Sequence, residues 1–107
     1  MNSNSMAAAA VLLTLIASGP AHAKSCGLKG VSAGTERTGP GPAKALEFGT
    51  QMLMIDRWQK KVARDPDYGP SYASWGRADK RKTNCEVTSL GKNFHISCVA
   101  MGIPCRP

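Results

Sequence analysis

The chain has 107 residues and a formal net charge of +7, with 14 Lys and Arg set against 7 Asp and Glu. One small domain fits that length, which excludes most multi-step enzymes. Every Lys, Arg, Asp and Glu lies in residues 24–107, which hold only 20 large apolar side chains beside 10 Gly and 6 Pro; so thin an apolar supply against the entropy of ordering the backbone calls for covalent staples.

Residues 1–23 read as a signal peptide. Ala7 to Ala17 is small and apolar apart from Thr14, shorter than the roughly 20 residues that cross a bilayer as a helix. Gly19 and Pro20 follow, and then Ala21-His22-Ala23 places small residues where a signal peptidase reads, so cleavage is expected before Lys24. The leader departs from the usual pattern in having no Lys or Arg between Met1 and Met6. Cys26, Cys85, Cys98 and Cys105 all follow the cleavage point, and an even count in a short exported chain reads as two disulfides. Their spacings of 59, 13 and 7 contain no C-x-x-C, so neither a thioredoxin-like centre nor paired zinc knuckles has its motif. The expected location is periplasmic or secreted.

Residues 24–41, rich in Gly, Ser, Thr and Lys and closing on Gly39-Pro40-Gly41-Pro42, read as a flexible N-terminal arm held by Cys26. A small α+β domain is expected over 42–107. Ala45, Phe48, Met52, Ile55, Trp58 and Val62 recur at intervals of 3, 4, 3, 3 and 4, one face of a helix near 43–64 that Pro66 and Asp67-Tyr68-Gly69-Pro70 end. Met52, Leu53 and Met54 lack a neighbouring His or Cys, so core packing accounts for them better than copper. Tyr72, Trp75 and Ala78 at intervals of three suggest a short second helix over Ser71–Lys82, leaning its aromatics on the first.

The C-terminal segment changes period. With Gly91-Lys92 as a two-residue turn, Leu90 faces Asn93 and Cys85 faces Cys98, while Val87, Ser89, Phe94 and Ile96 share the cysteines' face; this is the pattern of a half-buried hairpin. Opposed Cβ atoms in such a ladder lie close to disulfide geometry. That register favours Cys85–Cys98 and leaves Cys26–Cys105 as the long staple, although four cysteines permit three connectivities.

Trp58-x-x-x-Val62, Tyr68-Gly69, Tyr72, Trp75, Ala78, Asn84-Cys85, Phe94, Cys98, Ala100, Gly102 and Pro104-Cys105 together resemble the pattern of a group of small exported hypothetical proteins from alphaproteobacteria. The resemblance spans about Ala45 to Cys105 and implies an exported α+β module with oxidised cysteines; it carries over no activity, cofactor or ligand. Ala63 to Asp67 and the segment before Pro42 lie outside it.

His95 is expected on the polar face of a strand beside Thr88, where a lone histidine is usually a solvated polar group; a Ser-His-Asp triad would require a Ser and an acid brought to it, and the Ser-bearing segments show no nucleophile-elbow pattern. Asp65 and Asp67 flank Pro66 without the run of oxygen ligands of a calcium loop. No phosphate loop and no catalytic carboxylate pair is present, and no cofactor or metal is expected. Arg77, Lys80, Arg81 and Lys82 form a basic run behind Tyr72 and Trp75. With Lys60, Lys61 and Arg64 it suggests one positive face that attracts anionic partners by long-range steering, where a plain solvated surface is the competing account. The expectation is a non-enzymatic binding module for anionic envelope components or an acidic protein, with nucleic acid disfavoured by export; the alternative is a small enzyme or enzyme inhibitor acting through the hairpin edge and His95.

Overall fold

The computed structural model describes residues 25–107; the expected leader and its cleavage site lie outside them. In chain order the elements are β1 (Ser25–Cys26), β2 (Val31–Pro40), α1 (Ala43–Arg64), two 3₁₀ turns (Pro70–Tyr72 and Trp75–Arg77), β3 (Asp79–Leu90), β4 (Asn93–Ile103) and β5 (Cys105–Arg106). This is the expected α+β architecture with one main helix. β2, β4 and β3, in that order, form an antiparallel sheet, while β1 and β5 pair as a separate two-stranded ribbon.

The hairpin register agrees with expectation, Leu90 opposite Asn93 and Cys85 opposite Cys98. Both disulfides are present, Cys85–Cys98 with Cα atoms 4.1 Å apart and Cys26–Cys105 with Cα atoms 3.9 Å apart.

Three expectations require correction. The segment read as a flexible arm supplies β2, paired with β4 from Val31–Gly102 to Pro40–Asn93. Small residues occupy three of its five helix-facing positions: Ala33, Thr35 and Gly39 let α1 approach, a Cβ on Gly39 lying 3.7 Å from Leu46, while Val31 joins the core and Arg37 reaches toward Gly49. The preceding link is pinned as well. Gly27 N donates to Pro104 O at 2.9 Å, Tyr68 Oη donates to Lys29 O, and Lys29 Nζ lies 3.1 Å from Asp67. Hydrogen bonding to Asp67, with the Asp67 and Asp65 charges behind it, raises the Lys29 ammonium above its ordinary pKa.

The second correction concerns Ser71–Lys82. Instead of a short helix there are two 3₁₀ turns followed by the first residues of β3. The interval of three between Tyr72, Trp75 and Ala78 matches the 3₁₀ period. The aromatics do lean on α1: the Trp75 and Trp58 rings meet edge to face at 5.0 Å, and Trp75 N donates to Gln59 Oε1 at 3.0 Å.

α1 spans its expected residues but is rolled from its expected face. Thr50, Met54, Trp58 and Val62 are buried, whereas Phe48 and Met52 are 64% and 52% exposed. Thr50 tolerates burial because its hydroxyl donates to Leu46 O at 2.7 Å, which leaves no orphaned donor. Trp58 Nε1 donates to Val31 O at 2.9 Å and ties the helix to the start of β2. The core joins Val31, Met54, Trp58, Val62, Ala78, Ile96, Cys98 and Ala100, all between α1 and one sheet face. The other sheet face is open.

Candidate functional site

Alternation along the strands sorts the open face into rows read across β2, β4 and β3: Ser32–Met101–Lys82, Gly34–Val99–Asn84, Glu36–Ser97–Glu86 and Thr38–His95–Thr88. The first two rows contain half-exposed apolar side chains, Met101 at 49% and Val99 at 42%. Beyond them, at the far end of β4, comes Ile103.

β3 enters this end through a bulge. Asp79 pairs with Ile103 and Lys82 with Met101, three residue steps on β3 against two on β4. Lys80 absorbs the extra residue with φ of 51°, a left-handed conformation that an unbranched L residue adopts only at some cost. Bulges of this kind re-aim side chains. Here Lys80 and Lys82 both line a cleft of about 390 Å³ with Ser32, Met101 and Ile103, and with Val31 and Gly102 beneath. Among the described residues neither lysine has a carboxylate within ion-pair distance, although Asp79 is adjacent in sequence.

The other cations of the basic run stand outside this cleft. Arg77 closes the second 3₁₀ turn and Arg81 is exposed on β3. Lys60, Lys61 and Arg64 line a separate concavity along α1 with Arg57, Asp56 and Asp65, where Lys60 is paired with Asp56 at 3.0 Å. The two basic groups meet at Ser32, since Lys61 Nζ donates to its carbonyl at 2.6 Å while the same residue lines the Lys80–Lys82 cleft. Sequence reasoning thus found the cations but missed Ser32, Met101 and Ile103; the signal was the odd-numbered apolar series Val99, Met101 and Ile103, opposite in parity to the core residues of β4.

The distal half of the open face has different chemistry. His95 Nε2 lies 2.9 Å from Glu36 Oε1 and Nδ1 lies 2.8 Å from Thr38 Oγ1. A carboxylate only accepts, so Nε2 donates to Glu36, and in the neutral ring Nδ1 accepts from the Thr38 hydroxyl. A hydroxyl, an imidazole and a carboxylate are therefore in a row, but on the flat of a sheet and at the central strand, whose ladder is paired on both sides. The row joins β2 to β4 as a cross-strand pin.

Among the described residues no helix is long and apolar enough to cross a membrane, and no cluster of three His, Cys, Asp or Glu is placed to hold a metal ion. Compared with family models, curated proteins and solved structures, the chain matches none of them.

Proposed function

We propose that this protein is an exported, periplasmic or secreted, non-enzymatic module that binds an anionic partner through its basic surface. One observation carries the reading: the β3 bulge sets Lys80 beside Lys82 over a cleft, with no acidic side chain among the described residues engaging either ammonium. The two disulfides support an oxidising compartment. Individual surface ion pairs contribute only about 0–1 kcal/mol, so attraction to an envelope component or an acidic protein must be collective and therefore steeply dependent on salt.

The test is a Lys80→Gln, Arg81→Gln, Lys82→Gln variant compared with wild type for retention on anionic phospholipid vesicles from about 50 to about 300 mM salt, a range that shortens the screening length substantially. Retention is expected to fall sharply in the variant at low salt while thermal stability hardly moves, because the substituted side chains are exposed. Equal retention at every salt concentration returns the basic run to a solvated surface. A catalytic reading centred on His95 has the Thr38–His95–Glu36 row on its side; a His95→Ala variant that keeps its fold and loses a hydrolytic activity would favour it.

A further inference from the structure

We infer that the Lys80–Lys82 cleft binds a single-chain anionic amphiphile, an acyl carboxylate in its simplest form, with the tail on Met101 and Ile103 and the head group between the two ammonium groups. This rests on the reading above and narrows it from anionic partners in general to one ligand class.

Three features converge on that class. The cleft volume of about 390 Å³ falls within the roughly 300–1,000 Å³ of small-molecule sites. Its floor is apolar and supported from below: a Cβ on Gly102 would lie 3.2 Å from the Trp75 ring and 3.3 Å from Ala78, so the strand is packed tightly from the core side while Met101 stays half-exposed above. Methionine suits such a floor because its unbranched, polarizable side chain adapts to irregular apolar shapes. Its rim is cationic, and the bulge that brings Lys80 there holds a lysine in a backbone conformation that glycine or asparagine adopts more readily.

Complementarity then selects between ligands. Inorganic phosphate would meet the lysines and leave the apolar floor wet. A neutral alkyl chain would cover the floor and leave the cations with water. An amphiphile with one negative end satisfies both, burying apolar area and forming charge-assisted hydrogen bonds. Val99, Met101 and Ile103 continue from the lysines along one face of β4 for about 13 Å at about 3.3 Å per residue, a track for an extended tail. An acidic peptide laid on the apolar floor suits the place less well, since the backbone of β4 is already paired on both sides and the free ladders of the sheet lie on the outer edges of β2 and β3.

The experiment titrates the oxidised protein with decanoate below its micelle-forming concentration, following backbone amide shifts by NMR and stoichiometry by calorimetry. Decyltrimethylammonium, inorganic phosphate and a short poly-glutamate serve as controls. One-to-one saturation is expected, with shifts centred on Val31, Ser32 and Met101–Ile103. Joint replacement Lys80→Gln and Lys82→Gln should weaken affinity about tenfold or more, the loss expected when charge-assisted contacts go. Met101→Ser should weaken it several-fold by removing the floor, with unchanged circular dichroism showing that both variants fold. Absence of saturation, an equal response to decyltrimethylammonium, indifference to Met101→Ser, or shifts of these amides by poly-glutamate alone each overturns the inference. If decanoate is ignored while anionic vesicles still retain the protein through Lys80 and Lys82, the amphiphile cleft falls and the broader reading stands; if vesicles are ignored as well, both fall.

Discussion

The two halves of the open sheet face are built on the same three strands yet solve opposite problems. Toward the hairpin turn, Glu36, Thr38 and His95 satisfy one another across β2 and β4, so these three polar groups are committed to the fold. At the other end Met101, Val99, Lys80 and Lys82 are exposed, with no ion pair engaging the lysines among the described residues. The first cluster is internally closed and the second is open to a partner. Groups that stabilise a fold and groups available for binding can thus be told apart by whether their polar atoms already have partners, even when both are exposed.

The strongest way to break the contrast is to remove what the halves share. Cys85–Cys98 lies in the row between them on the core side, and replacing both cysteines with Ala is expected to cost about 3 kcal/mol on the loop-entropy estimate. Denaturant midpoints should fall, and amide dispersion should be lost from both ends of the sheet together; loss from only one end would show that the halves are independently held. Next in size, Trp58→Phe removes the indole donor to Val31 O under the cleft end. Losing that one bond, while the carbonyl keeps its place in the β2–β4 ladder, should cost about 0.5–1.5 kcal/mol, read as faster hydrogen exchange at the start of β2.

Substitutions on the face itself sharpen the contrast. Thr38→Val in the closed half should cost up to about 1 kcal/mol, the scale of one hydrogen bond, and leave binding to anionic vesicles unchanged. Lys80→Gly should do the reverse. Relief of the positive φ, partly offset by the greater freedom of glycine in the unfolded chain, is expected to leave stability within about 1 kcal/mol and on the favourable side, while vesicle retention declines. A stability loss at Lys80 or a binding loss at Thr38 would erase the division of labour.

Much of the architecture was legible in the sequence because the governing interactions are local. Twenty-two residues of α1 follow from a 3.6-residue period, and the hairpin follows from a two-residue turn that brings Cys85 and Cys98 opposite each other. β2 was hidden because its partner is β4, far along the chain, and because three of its inward residues, Ala33, Thr35 and Gly39, are small and resemble linker composition. The roll of α1 escaped for a related reason: Thr50 looks solvated until its hydroxyl is seen bonded to Leu46 O. The cleft needed the bulge, and residues 71–82 read as helical give no place for one. The lysines were visible as charge; their apolar floor became visible only when strand parity was fixed.

Cys26–Cys105 has a consequence for the chain as a covalent object. Joined by this bond, residues 26 to 105 form a ring, and Ser25 and Arg106 leave it side by side. A protease cutting at the exposed Gly91–Lys92 turn yields two polypeptides, but Cys26 and Cys85 lie on one and Cys98 and Cys105 on the other, so both sulfur bonds bridge the cut. Such a nick alters the number of chains and not the number of molecules, and the cut protein would run as two pieces only after reduction.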